Sequence, residues 1–417
     1  MEAMIERCAG LDVHQETVVA FVLFGPLDKK PKISIETFST TTTGLLALSD
    51  WLTTFQVSDV VMESTGVYWK PIWNILEDSF HLVLANARHV KNVPGRKTDV
   101  KDAEWLAKLL RCGLIESNFV PPEDIRDLRD LTRYRKKLIH HRTSEQNRIH
   151  KILQDANIKL TSVLSDIFGV SGRRILEAIL NGEKIETDGL RKMVDWRTKA
   201  SITDIANAIN GRIRRHHRDM LRYHWEHMGY LEKAIEELEK QIDQLLSPYH
   251  KEVELLDGIP GVNKAAAATF IAEMGVDMSV FKSAKHLASW AGVSPGNYES
   301  AGKKKTSKTT QGNKALKTMA VECVLATSRQ NNRIASHRKR ITKRQGKMKE
   351  RIASAHLLLT IAYNILKTGE PYHELGSNYL EEKQNNKELK MIEYLKKKGY
   401  TIAPSEQQTA QPVKITQ

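Results

Sequence analysis

Residues 8–24, CAGLDVHQETVVAFVLF, decide the architecture of the first part of the chain. Two apolar, β-rich runs flank a polar break at residues 14–16, which suits strands joined by a reversal. Working outward, residues 5–11, 18–24 and 33–39 read as the three strands of a meander. Residues 44–55 then carry Leu45, Leu48 and Leu52 on one helical face. Residues 59–62 and 81–85 are short apolar runs of the kind that form buried parallel strands, with a Trp-rich helix over 67–77 between them. A meander followed by α/β units is the element order of a ribonuclease-H-like fold. In that layout Asp12 and Glu63 fall at the ends of adjacent central strands.

Two further acids lie in residues 95–105, GRKTDVKDAEW. Pro94 and Gly95 break the chain, Thr98 can cap, and the spacing predicts a helix over 99–114. Asp99 and Asp102, three apart, share a face of that helix near its positive end. Alone, such a pair can simply favour the helix dipole. Together with two strand-end carboxylates it suits a site for divalent cations, Mg²⁺ or Mn²⁺ in its place, and a metal pair cuts or joins phosphodiesters.

The chain has 417 residues and a formal net charge of +14. That length accommodates roughly two or three domains with their own cores. The excess of Lys and Arg favours a polyanionic partner, DNA or RNA before membrane. Cys8, Cys112 and Cys323 are widely spaced and form no CxxC pair, which suits a reducing cytoplasm without disulfides or structural zinc. No basic-then-apolar leader opens the sequence, and the most apolar helical stretch, residues 355–366, is too short for a bilayer. The expectation is a soluble cytoplasmic protein, nucleoid-associated when it acts on DNA.

Residues 121–160 turn long, basic and helical, with Arg133, Arg135, Lys136, Lys137 and Arg142 beside a broken apolar stripe. These charges suit either solvation or contact with a nucleic-acid backbone, Arg135 and Lys136 being candidates for the latter. Residues 161–211 carry no usable motif. In residues 221–246, Leu221, His224, Met228, Leu231, Ile235, Leu238, Ile242 and Leu245 alternate by three and four, the seam of a coiled coil. It can pair with a second chain or fold back on the basic helix. Gly258 and Gly261 then bracket a turn resembling a helix-hairpin-helix element, whose amides and following helix can hold a phosphate. Any close helix–helix turn uses similar glycines. Residues 289–317, rich in Gly, Ser, Thr and Lys, suit an exposed loop or ribbon. A helix follows Gly312 and Asn313, residues 331–351 form a basic helical stretch, and residues 355–366 return to the core. The end of the chain is polar and suits a mobile tail.

GLDVH (10–14), MESTGVYW (62–69), KTDVKDAEWLA (97–107), GIPGVN (258–263), GVSPGNYESAGK (292–303) and QGNKAL (311–316) occur in one order. Together, from about residue 8 to residue 372, they resemble the DEDD-type transposases of the insertion-sequence-110 family. The resemblance implies a RuvC-like, ribonuclease-H-type domain, a coiled-coil segment and a mainly helical C-terminal domain with a nucleophilic serine. Its acidic tetrad carries onto Asp12, Glu63, Asp99 and Asp102, and its serine onto Ser300. The residues themselves offer only an exposed hydroxyl in a Gly-containing loop beside Lys303, Lys304 and Lys305, and do not separate Ser300 from Ser289, Ser294 or Ser307. The chain departs from the family in having Ala301 directly after the serine and Gly296 after the proline of the GxxP turn. What the resemblance implies is a homo-oligomeric recombinase, dimer or tetramer, acting on donor and target DNA under a guide RNA.

The implied division is a catalytic domain over 1–120, a basic and coiled-coil region over 121–250, a serine domain over 251–375 and a tail over 376–417. Two other functions fit parts of the pattern. A structure-selective metal nuclease explains the acids and leaves Ser300 idle. A non-catalytic RNA-binding scaffold explains the charge and the long helices alone.

Overall fold

The computed structural model describes residues 3–400 apart from 65, 87–100, 116, 297, 301–302 and 307. The chain divides into two compact units, residues 1–121 and 122–417. The first contains β1 (Arg7–Val13), β2 (Thr17–Phe24), β3 (Lys32–Ser39), α1 (Thr42–Thr54), β4 (Asp59–Glu63), α2 (Trp69–Leu76), β5 (His81–Ala85) and α3 (Lys101–Arg111). Its sheet has the order β3-β2-β1-β4-β5. β1, β2 and β3 are antiparallel neighbours, whereas β4 runs parallel to β1 and β5 parallel to β4.

Alternation along the strands builds a three-layer unit. Ala9, Leu11, Ala20, Val60 and Met62 face Leu45, Leu48 and Leu52 of α1 and Ile72 of α2. Cys8, Phe21, Val61 and Val83 face Ala103, Leu106 and Leu110 of α3 on the other side. The meander and both buried parallel strands thus lie where hydrophobic periodicity puts them. Thr41 starts α1 by accepting a hydrogen bond from the Gly44 amide at 3.3 Å.

The second unit is helical around one antiparallel hairpin. Its 33-residue α4 (Glu123–Asp155) and 32-residue α9 (Arg215–Leu246) pack side by side. Between them lie α5 (Leu160–Val163), α6 (Val170–Asn181), α7 (Thr187–Met193) and α8 (Ile202–Ile209), which share a core of Ile175, Leu176, Leu190 and Ile205. Helices this short leave little periodicity to read, which is why residues 161–211 carry no sequence signal.

Leu221 and Met228 of α9 pack with Ile149 and Leu153 of α4, and Leu231, Ile235 and Leu238 with Leu138. Polar pairs fix the direction: Arg135 meets Glu239, Glu145 meets His224 at 2.6 Å, and Asp155 meets His217 at 2.9 Å. The seam that suited either a second chain or a hairpin closes within one chain. His224 is accounted for by Glu145, a carboxylate that burial pushes up but that His224, Arg148 and His227 together hold below the usual range.

The remainder comprises α10 (His250–Asp257), α11 (Lys264–Met274), α12 (Ala284–Trp290), β6 (Tyr298–Ser300), β7 (Lys303–Thr306), α13 (Lys314–Ala326), α14 (Arg333–Gln345), α15 (Lys347–Thr368) and α16 (Tyr379–Lys397). The basic stretch expected over 331–351 ends instead at Gly346, whose φ of +83° suits a residue without Cβ. Residues 347–351 belong to the apolar helix α15, where Leu358, Leu359 and Ala362 are buried. Arg338 clamps that corner, donating from Nε to buried Glu350 at 2.7 Å and from Nη1 to the Val324 carbonyl at 3.0 Å. The polar end of the chain also differs from expectation, because α16 runs to Lys397. Its Glu, Lys and Leu residues are good helix formers despite their polarity.

Among the described residues no helix is long and apolar enough to cross a membrane. All three cysteines are free, with Cys8 and Cys323 buried and Cys112 half-buried. Burial pushes the Cys8 and Cys323 thiols up to about 12, so neither carries appreciable thiolate near neutrality. Native protein treated with iodoacetamide at pH 8 should therefore be labelled at Cys112 first. Mass spectrometry should find Cys8 and Cys323 modified only after denaturation.

Candidate active site

β1 and β4 run parallel with Leu11 beside Met62, so Asp12 and Glu63 stand one step further along neighbouring strands. Asp12 shares its pleat face with Cys8 and Gly10, and Glu63 shares its face with Val61. Cys8 and Val61 both pack on the α3 side, so the two carboxylates face the layer that carries Asp102.

How α3 comes to lie there follows from Gly10. A Cβ at this position would stand 2.2 Å from the Ala103 carbonyl oxygen and 2.6 Å from the Ala107 nitrogen. Only the absence of a side chain lets the helix backbone rest on the strand. The Cys8 thiol donates to the Ala107 carbonyl at 3.5 Å, and the Met4 amide donates to the Arg111 carbonyl at 2.7 Å. α3 therefore runs antiparallel to β1, with its first turn, containing Asp102 and Glu104, at the end where β1 and β4 finish. Asp12, half-buried, has His14 Nε2 at 3.2 Å from its Oδ2. Asp12, Glu63 and Asp102 thus stand on three elements at the same end of the sheet; Asp99 lies outside the described residues.

Among the described residues no three His, Cys, Asp or Glu side chains are grouped so as to hold a metal ion. The donor set is nevertheless of the right kind. Carboxylate oxygens at a sheet end beside a helix N-terminus suit a hard divalent cation, and no soft ligand stands among them.

The second module is a ribbon. β6 and β7 pair antiparallel with Ser300 opposite Lys303, so Ser300 sits at the turn end, while Lys304 and Lys305 continue along β7. Nearer its foot, Pro295 bridges Thr309 and the Gly296 amide donates to the Lys308 carbonyl at 2.9 Å. The foot is pinched between Gly292, φ +74°, and Gly312, whose Cβ would lie 2.3 Å from the Gly292 nitrogen.

Of the residues expected to meet nucleic acid, several have other work. Gly261 adopts φ +86°, and a Cβ there would lie 2.4 Å from the Cys323 carbonyl oxygen, so it is needed for packing against α13. Gly258 is exposed in ordinary helical geometry at the end of α10. Arg135 pairs with Glu239 and Lys136 with Glu322, the latter at 3.0 Å. These cations close the helical unit on itself.

Sequence reasoning passed over Glu273. It is completely buried on α11 and takes both nitrogen donors of Arg133, each at 2.7 Å. Arg129 lies 3.6 Å from the same carboxylate and donates to the carbonyls of Ala272 and Glu273. Burial lowers Arg129 to about 10, opposed by Glu273; the hydrogen bond to Glu273 raises Arg133. Asn313 Nδ2 completes the node at 2.6 Å. The available signal was a lone carboxylate in the apolar helix KAAAATFIAEM.

Comparison with known proteins places these two modules. Residues 9–158 match a family model described as transposase, and residues 253–339 match one described as transposase of the IS116/IS110/IS902 family. A pilin gene-inverting protein of Moraxella bovis is 25% identical over 354 residues, covering 81% of this chain and 89% of the relative. Its counterpart from Moraxella lacunata matches equally, at 25% over 354 residues. An acidic sheet corner in the first unit and a ribbon module in the second, each matched to transposases, define a DNA recombinase or transposase enzyme. The chain belongs to the IS110 family of transposases.

Proposed function

We propose that the chain cleaves and rejoins DNA strands through a phosphoserine intermediate, with Asp12, Glu63, Asp99 and Asp102 as the acidic tetrad and Ser300 as nucleophile. What supports this is that Asp12, Glu63 and Asp102 stand on three elements at one end of the sheet, with α3 seated on Gly10. The strand order, an antiparallel meander continued by two parallel strands, supports reading the first unit as RuvC-like with a ribonuclease-H fold.

The four carboxylates would hold Mg²⁺, or Mn²⁺ in its place, and the bound ion neutralises charge at a scissile phosphate. Ser300 Oγ attacks that phosphorus; the new O–P bond replaces the bond to the 3′ oxygen, which leaves carrying the serine proton. A 3′-hydroxyl of the second duplex then attacks the phosphoserine, restoring the serine hydroxyl. Two ester exchanges conserve bond energy, so no nucleotide cofactor is consumed. Lys303, Lys304 and Lys305 neutralise the approaching backbone.

Gene inversion in the named relatives supports exchange at defined sites. Target choice comes from a guide RNA pairing with donor and target DNA, the protein reading backbone and shape. Acids of one protomer act with the serine of another in a dimer or tetramer. The functional division we assign is catalytic over 1–120, helical hairpin over 121–250, serine module over 251–375 and a terminal extension over 376–417.

The test is to purify the protein with its co-purifying RNA, add donor and target DNA with Mg²⁺, and look for a covalent DNA–protein adduct. Wild type should give the adduct and Ser300→Ala should not. Asp12→Asn should lose strand cleavage altogether. Normal cleavage by Ser300→Ala would refute the serine step and leave a metal-dependent nuclease.

A further inference from the structure

Glu273 stands far along the sequence from the serine ribbon, yet it touches the residue that ends it. Asn313 has two bonds with different purposes. Its Oδ1 accepts from the Leu316 amide at 3.0 Å, capping α13, and its Nδ2 donates to Glu273 Oε2 at 2.6 Å. Its backbone amide donates to the Trp290 carbonyl at 3.2 Å, directly beside the Gly292–Gly312 pinch. Arg133 of α4 donates to both oxygens of Glu273, from Nε to Oε1 and from Nη2 to Oε2. A single buried carboxylate thus links the foot of the ribbon to the longest helix of the unit.

We propose that Glu273 is a positioning residue for Ser300: through Asn313 it locks the foot of the β6–β7 ribbon to α4 and so fixes where the serine is presented. This rests on Ser300 being the nucleophile, whereas the locking itself does not. The alternative, that the node only fills a polar gap in the core, makes different predictions because cap and lock are separable at Asn313. Aspartate and serine both cap helices as well as asparagine does. Asn313→Asp keeps the cap but turns an oxygen towards the Glu273 carboxylate. Asn313→Ser keeps the cap and is too short to reach it.

The experiment measures three things on the full chain with its co-purifying RNA. In both variants, amide exchange at Gly296, Thr310 and Asn313 should speed by about tenfold, the equivalent of losing one charge-assisted hydrogen bond. Adduct formation with donor and target DNA should slow by about tenfold or more, while DNA affinity stays within roughly twofold. The double variant Glu273→Gln, Asn313→Asp should recover part of both rates, since the glutamine amide can donate to the new carboxylate and its oxygen accept from Arg133 Nε, while the bond from Arg133 Nη2 to Oε2 is lost.

Unchanged exchange in Asn313→Ser overturns the lock. Faster exchange with adduct formation at the wild-type rate overturns the positioning role. Failure of the double variant to improve on Asn313→Asp also counts against the proposal, because a merely misfolded foot would not respond to Glu273. If Asn313→Asp does not fold, Asn313→Ser supplies the same comparison without the added charge. If wild type itself forms no adduct, the serine reading fails, and the exchange data still decide whether the foot is locked.

Discussion

Glu273→Ala is expected to destabilise the second unit by about 3–5 kcal/mol, the usual cost of removing one partner from a buried ion pair. Arg129 is mostly buried and already lowered by that burial, so losing Glu273 removes the charge that most opposes it. Arg133 is about half exposed and can turn towards water, which argues for the lower end of that range. In a unit of this size the melting temperature should fall by roughly 5 °C. Calorimetry on Glu273→Ala and on Glu273→Gln separates charge from shape. The amide fills the same space and should recover only part of the loss. A Glu273→Ala protein melting with wild type would mean that the carboxylate stabilises nothing.

Gly10→Ala is the second large effect, and it acts on the first unit. The added methyl would lie 2.2 Å from one backbone atom of α3 and 2.6 Å from another. Neither is the tip of a flexible side chain, so the helix must move as a body. Overpacking of this kind costs about 3 kcal/mol. The functional consequence is larger, because Asp102 sits one residue from the clash. A shift of about 1 Å in a catalytic group can cost on the order of a hundredfold in rate. Strand cleavage should therefore drop further than the melting curve suggests. Wild-type cleavage and melting in Gly10→Ala would show that α3 does not bear on β1 as described.

Much of the first unit was legible because its strands advertise themselves. Residues 18–24 alternate between two covered faces, and the sheet order follows from a meander feeding parallel units. What seats α3 against β1 was not legible. Gly10 looks like any glycine in a strand until the helix it touches is known, and that helix lies far along the chain. Periodicity along α9 identified a sticky face without identifying its partner, since an apolar stripe of this spacing serves one chain or two. Charge was the least dependable guide. Arg135 and Lys136 suited either solvation or phosphate contact, and their pairing depends on acids such as Glu239 and Glu322 that only folding brings near. Ser300 was picked by resemblance; its chemistry alone does not distinguish it from neighbouring serines.

The cis pairing of the two long helices has a metric consequence. At 1.5 Å per residue, α4 climbs roughly 33 Å between Arg133, at the ribbon's anchor, and Asp155, where the cap of short helices begins. That is about one turn of B-form duplex. The hairpin thus keeps its cap of short helices about one duplex repeat away from the place where the ribbon is moored.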